Sequence, residues 1–187
     1  MRRLMLLRHA KTEIDAPSGR DHDRRLDDRG RRDAAEIGHW TGSNPPFPDE
    51  VLVSTAVRAR QTWDLAWEAM KDRVPAPDVK IVDELYGAEP AQLLEMVRMA
   101  SDGDPKRLML VGHNPGMHEM ALMLTGHGDR AAREALQDNL PTSGLAVFDF
   151  DTSDWADVAF RRGKLVLFVS PKLLRQTSKD RWQAEKP

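Results

Sequence analysis

The chain has 187 residues, 40% apolar and 31% charged, with 28 Lys and Arg against 30 Asp and Glu for a formal net charge of −2. That near balance excludes a generally basic nucleic-acid binder and a polyanionic tail, and the lack of cysteine excludes disulfides, thiolate nucleophiles and Cys-based metal sites. Chemistry must come from His, carboxylates, Arg, Lys or hydroxyls, in one domain predicted over 1–176 with a polar, frayed tail over 177–187.

At the N-terminus, Arg2 and Arg3 precede only four apolar residues before Arg8 and His9. A secretory core needs ~7–15 apolar residues and a membrane span ~18 or more, so neither is predicted. A cytoplasmic location is expected, with no membrane or nucleic-acid partner.

The run 4–7 is apolar throughout and stops at polar residues, as a short buried strand does. A helix is predicted over 29–40, with Ala34, Ile37 and Trp40 on one face. The stretch 20–36 looks basic, yet its six Arg are matched by six carboxylates, Asp21, Asp23, Asp27, Asp28, Asp33 and Glu36. Such interleaving suits a solvated loop and helix face, not a binder of phosphate backbones. The Pro-rich segment 44–48 reads as a loop, and 51–53 as a second buried strand. Over 55–71, Trp63, Ala66, Trp67 and Met70 recur at the helical period, with Ser54 and Thr55 placed to cap the helix. Residues 79–82 form a further strand candidate; 90–100 is a helix opened by Pro90, with Leu93, Leu94 and Val97 inward. A buried strand at 108–111 then leads into a short helix at 115–124. The last third predicts strands at 145–150, 158–161 and 165–169, joined by polar turns at 151–154 and 162–164. Strands alternating with helices imply an α/β fold: a single three-layer α/β/α domain, its central sheet mostly parallel with antiparallel edge strands.

Two strand ends share one pattern. The run 4–7 leads into Arg8-His9-Ala10, and 108–111 leads into Gly112-His113-Asn114-Pro115-Gly116. Each puts a histidine just past the carboxyl end of a buried strand, the edge at which open α/β sheets bind ligands. A lone histidine there is ordinarily a hydrogen-bonded, half-buried side chain. A pair with an adjoining arginine points instead to a shared substrate. Gly112 and the turn 114–116 predict a tight backbone around His113 and a helix start whose free N–H groups favour an anion. Arg58, taken alone, reads as a surface arginine, as Arg60 and Arg98 do. In the first turn after strand 51–53, however, it would face the same edge, and with Arg8 could grip a tetrahedral oxyanion bidentately. Arg24 could reach in as a third. Guanidinium groups holding a dianion beside a neutral imidazole suit in-line phosphoryl transfer to nitrogen without a metal. A metal hydrolase built on His9, His113, His118 and His127 is disfavoured, because the ligand spacing is wrong and two arginines would repel a cation.

These segments resemble the three motifs of the histidine phosphatase (phosphoglycerate mutase-like) superfamily. Leu7-Arg8-His9-Ala10 is similar to its Arg-His-Gly motif, Ser54-Thr55-Ala56-Val57-Arg58-Ala59-Arg60-Gln61-Thr62 to the second, and Val111-Gly112-His113-Asn114-Pro115-Gly116 to the third. The small size, Asp23-Arg24-Arg25-Leu26 followed by Arg29-Gly30, and Pro171-Lys172-Leu173-Leu174 resemble the short phosphohistidine phosphatases of SixA type. The resemblance implies a phosphoglycerate mutase-like fold with neither metal nor organic cofactor. It implies His9 as the nucleophile that becomes phosphohistidine, and Arg8, Arg58 and His113 as the groups that bind the phosphoryl group.

Two positions depart from the pattern. Ala10 replaces a glycine of nearly its size, and Arg25 stands where the short subfamily carries Pro, which predicts a different loop around Arg24. Mutase-type members place a Glu before His-Tyr-Gly, and Asp83-Glu84-Leu85-Tyr86-Gly87 is similar, which makes Glu84 the candidate general acid and Glu89 the reserve. A phosphohistidine substrate needs no strong acid, since imidazole leaves far more readily than an alkoxide. Little in the chain is long enough for a lid, and an open site suits a phosphorylated side chain on another protein. The alternatives are a phosphatase or mutase acting on a small phosphate ester, and a non-catalytic phosphate-binding module.

Overall fold

The computed structural model describes residues 1–184, with side chains at all but 101, 102 and 178–184. Within Arg2–Arg8, the strand β1, residues Leu4 to Leu7 are at most 4% exposed, because helices cover both faces of the sheet. The other strands are β2 (Glu50–Ser54), β3 (Asp78–Val82), β4 (Arg107–Gly112), β5 (Thr125–Gly128), β6 (Leu145–Phe150) and β7 (Gly163–Val169). They form one sheet in the order β3-β2-β4-β1-β6-β7-β5. All neighbours are parallel except β6, which runs antiparallel to both β1 and β7. The expected α/β/α architecture is observed, but the antiparallel strand lies inside the sheet rather than at an edge.

The helices are α1 (Asp28–Ser43), α2 (Val57–Met70), α3 (Pro90–Met99), α4 (Gly116–Leu124), α5 (Arg130–Asp138) and α6 (Pro171–Ala184). Strand side chains alternate between two cores, as the period of two requires. Leu4, Leu6, Leu52, Leu108 and Leu110 pack with Leu93 and Val97 of α3, Met117 and Met120 of α4, and Leu136 of α5. Met5, Leu7, Val51, Val53, Met109 and Val111 pack with Ile37 of α1 and Trp63 and Met70 of α2. Fully burying a side chain of this size contributes about 1.5–3 kcal/mol, so the central strands anchor the fold. No helix among the described residues is long and apolar enough to cross a membrane.

Two expectations need correction, and two elements were not anticipated. Residues 158–161 are not a strand: Trp155–Asp157 forms a 3-10 turn, and Arg161 adopts a left-handed backbone with φ 64°. Val158 is apolar there because it is buried beside the fully buried Trp155, whose indole N–H donates to the Pro105 carbonyl at 2.5 Å. Strand β5 and helix α5 were not anticipated: Thr-Gly-His-Gly carries no apolar signal, and α5 begins at an Asp129 side chain accepting from the Ala132 N–H. Ser54 and Thr55 do not cap α2; Ala56 occupies that position without a side-chain bond, since both hydroxyls are engaged elsewhere. Helix α6 runs from Pro171 to Ala184, through part of the segment read as a polar tail from 177; 185–187 lie outside the described residues. Arg175 docks α6 on α1 by hydrogen bonds to Asp33 and Glu36, while Leu174 packs against the core.

Candidate active site

Parallel pairing brings the two histidines side by side. In the β1–β4 ladder, Leu7 stands opposite Val111 and Arg8 opposite Gly112, so His9 and His113 leave the sheet at one level. The His9 N–H donates to the Gly112 carbonyl at 3.0 Å, and the two rings lie 5.2 Å apart between centroids. Helix α4 starts just beyond. A Cβ on Gly116 would overlap the Ala88 carbonyl, whereas one on Gly112 would meet only Met117 Sδ at 3.4 Å. The tight backbone expected around His113 is thus a property of Gly116 more than of Gly112.

Each histidine is held through one ring nitrogen. His9 Nδ1 lies 2.7 Å from the Ala10 carbonyl, which can only accept, so Nδ1 carries the proton and Nε2 keeps its lone pair. Burial pushes the His9 pKa down from 6.5 to about 4; the Ala10 bond opposes this, while the charges of Arg58, Arg8 and Arg24 add to it. His113 is 8% exposed, and its Nε2 lies 2.7 Å from Ser54 Oγ. Burial, then the proximity of His9 and Arg58, push its pKa down to about 3. Both rings are therefore neutral near pH 7.

The cations gather around them. Arg8 Nη1 donates to the Leu140 carbonyl at 3.0 Å, and its Nε is buried without a hydrogen-bond partner among the described residues. Burial also lowers the Arg8 pKa. The same Leu140 carbonyl accepts from Asn114 Nδ2 at 2.9 Å, and the Ser143 N–H donates to the carbonyls of Arg8 and His9 at 3.1 and 3.2 Å. Arg58, largely buried in the first turn of α2, donates to the Asp21 carbonyl at 2.7 Å and to Asp21 Oδ2 at 2.9 Å. Arg24 Nη1 reaches Asp21 Oδ1 at 3.0 Å, and its other nitrogens bond the Glu13 carbonyl and Thr12 Oγ1.

Burial disfavours the charged form of Asp21, but hydrogen bonds from Arg24, Tyr86 and Arg58 outweigh it and hold the carboxyl down at about 2. Tyr86 donates its hydroxyl to Asp21 at 2.9 Å and presents its ring to Arg58, His22 and His113. His22 Nε2 is hydrogen-bonded to Thr55 Oγ1 at 3.0 Å. The result is a site in which an imidazole nitrogen with no hydrogen-bond partner among the described residues stands in the field of three guanidinium groups, suited to receive the phosphorus of a bound dianion.

Residues 4–86 match the model of the histidine phosphatase superfamily (branch 1). The uncharacterised protein Rv1276c of Mycobacterium tuberculosis is 38% identical over 169 residues, 89% of this chain and all of that one. A candidate phosphohistidine phosphatase SixA from Agrobacterium tumefaciens superposes with TM-score 0.74 at 34% identity, over 91% of this chain and 98% of its own. The corresponding SixA candidate from Nakamurella multipartitia gives TM-score 0.77 at 30% identity, over 91% and 96%. The chain belongs to the histidine phosphatase superfamily. It is a SixA-like phosphatase, a hydrolase.

Four of the residues predicted from the superfamily's motifs, Arg8, His9, Arg58 and His113, converge, and Arg24 joins them through Asp21. Glu84 does not. It is exposed and lines a different groove with Glu50, Lys80 and Gln92, because the 3-10 turn Asp83–Leu85 spends its one buried side chain on Leu85. Glu89, at the start of α3, donates its N–H to Gln92 Oε1 at 2.9 Å and lines a groove of about 530 Å³ with His113 and Glu119. His118 bonds the Leu136 carbonyl and His127 sits on β5, so neither joins the histidine pair.

Two residues of the second motif have positioning roles. Thr62 accepts from the Ala10 N–H at 2.9 Å and donates to the Arg58 carbonyl at 2.7 Å, tying the end of β1 to α2. Gln61 accepts from the Leu26 N–H at 2.9 Å, which holds the Arg24 loop. Asp21, His22, Tyr86 and Leu140 were not anticipated as site residues. Only the Asp83-to-Gly87 resemblance brought Tyr86 to notice, and nothing separates Asp21 from its five neighbouring carboxylates in one dimension.

Proposed function

We propose that the chain dephosphorylates phosphohistidine in a protein through a covalent intermediate on His9. The observation that carries this reading is the fixed tautomer of His9: the Ala10 carbonyl holds Nδ1–H and leaves Nε2 as a neutral nucleophile. Its lone pair forms a bond to phosphorus as the substrate's P–N bond breaks. The electron pair returns to the departing ring nitrogen, and a substrate ring protonated at its other nitrogen leaves as neutral imidazole. Arg8, Arg58, Arg24 and His113 stabilise charge on the equatorial oxygens. Water then attacks the phosphorus of phospho-His9; the P–N electron pair returns to Nε2, and the water's proton passes to solvent. Similarity to the SixA candidates supports this substrate class, as does a mechanism that requires no strong acid.

A second reading, a small phosphate ester, is favoured by one observation: Glu89 lines the groove beside His113, where it could protonate an alkoxide. The two are separated by turnover of a phosphohistidine protein and a panel of phosphate esters. His9→Ala is expected to abolish both activities and to lose labelling of His9 by a phosphoryl donor. Glu89→Gln is expected to leave phosphohistidine turnover within about twofold, because that leaving group departs without an acid. Full activity of His9→Ala would refute the covalent route, and a preference for esters that Glu89→Gln destroys would establish the second reading.

A further inference from the structure

Ser54 is the fully buried last residue of β2, and the residues so far given roles in the chemistry do not include it. Among the described residues its Oγ has two hydrogen-bond partners: the Ala56 N–H, which donates to it at 3.3 Å, and His113 Nε2 at 2.7 Å. A hydroxyl has a single proton to give. Since the Ala56 contact uses an Oγ lone pair, the Ser54 proton has one described acceptor, the nitrogen of His113. The other ring nitrogen, Nδ1, is buried and has no hydrogen-bond partner among the described residues.

We propose that Ser54 is a positioning residue that donates to His113 Nε2 and thereby holds His113 in the tautomer with its proton on Nδ1, aimed at the phosphoryl group. The reverse assignment places an Nδ1 lone pair against an oxyanion and leaves the buried Ser54 proton without an acceptor. Both are costly inside a protein. His113 is neutral by virtue of its burial and the neighbouring charges, so it has one N–H to place.

The two histidines, 5.2 Å apart, are thus set in complementary states by two short contacts. A carbonyl, able only to accept, gives His9 a free lone pair. A hydroxyl, giving its proton away, gives His113 a free N–H. One ring attacks phosphorus, and the other donates to an equatorial oxygen without bringing a fourth full charge into the guanidinium cluster. This assignment rests on the phosphoryl-transfer reading for its purpose, but not for its measurement.

The test is nitrogen NMR of the full-length protein labelled at histidine, free and with orthovanadate. His113 is expected to show a protonated Nδ1 and an unprotonated Nε2 at pH 7, without any substrate. Ser54→Ala is expected to erase that preference and to weaken orthovanadate binding about tenfold to hundredfold, the scale on which loss of a hydrogen-bonded partner that orients a liganding histidine is felt. Ser54→Thr, which keeps the hydroxyl, is expected to restore both. A protonated Nε2 in the wild-type protein overturns the proposal whatever the variants do. So does a Ser54→Ala protein with the same tautomer and the same orthovanadate affinity. Failure of the phosphohistidine reading shows separately, as absent turnover by an enzyme whose His113 carries the expected proton.

Discussion

His9 and His113 owe their neutrality to a shared site. Each is desolvated, and cations face both, so the protonated forms are disfavoured together, with pKa values near 4 and 3. A base whose pKa is lowered by folding takes up its proton only when the pH falls through the lowered value. Both ring spectra should therefore remain those of neutral imidazole from pH 8 to about pH 5, with protonation beginning only near pH 4. The unfolded chain binds these protons near pH 6.5, so stability falls as pH drops from there towards 4. A histidine NMR titration and denaturant midpoints at pH 7 and 5 check the two statements; a midpoint near 6.5 for either ring would contradict the first. In the proposed covalent route, the same neutrality means that His9 needs no separate base to deprotonate it. Asp21 complements the pair. Ionised far below neutrality, it holds Arg58 and Arg24 together through its two carboxylate oxygens.

Helix α2 is the element through which packing reaches chemistry. It carries Arg58, Gln61 and Thr62 on the side facing the site, and Trp63, Ala66 and Met70 in the core. Its distance from α1 is set at Gly38, where a Cβ would overlap the Ala66 carbonyl and stand 2.5 Å from the Ala66 Cα. Backbone cannot yield as a flexible side chain can. Gly38→Ala is therefore expected to destabilise the protein by about 2–3 kcal/mol, read as a shift in denaturant midpoint. It should also lower turnover, because moving α2 pulls Thr62 from the Ala10 N–H; unchanged stability would show that the helices can separate freely. The helical period announced α2 clearly, since its buried residues fall on one face. The period did not reveal that its Ser-Thr approach serves His113 and His22 instead of capping the helix. Nor could it reveal β5, whose Thr-Gly-His-Gly is a strand by pairing with β7 and not by composition.

Across the whole molecule, α6 joins the end of the chain to α1. The Asp33 carboxylate is only 4% exposed and is flanked by Arg29 at 3.5 Å and by Arg175. Removing Arg175 leaves Arg29 as that buried charge's ion-pair partner among the described residues, but Arg175 is itself half-exposed, so water moderates the loss. Arg175→Ala is expected to cost about 1–2 kcal/mol, with turnover unchanged, and a double-mutant cycle with Asp33→Ala measures the coupling. A coupling of zero would mean that Leu174 alone docks the helix. By itself the amino-acid order excluded a thiol nucleophile and determined the α/β alternation and the delivery of His9, His113 and Arg58 to one sheet edge, because composition, strand ends and helical periods are local properties. Tertiary structure decided which of six cancelling carboxylates meets Arg58, why Glu84 faces away, and which nitrogen of each histidine is free. Those outcomes depend on hydrogen-bond partners far apart in the chain, such as Ser54 and His113, 59 residues from one another. No local pattern encodes such a pairing; the parallel register of β2, β4 and β1 creates it.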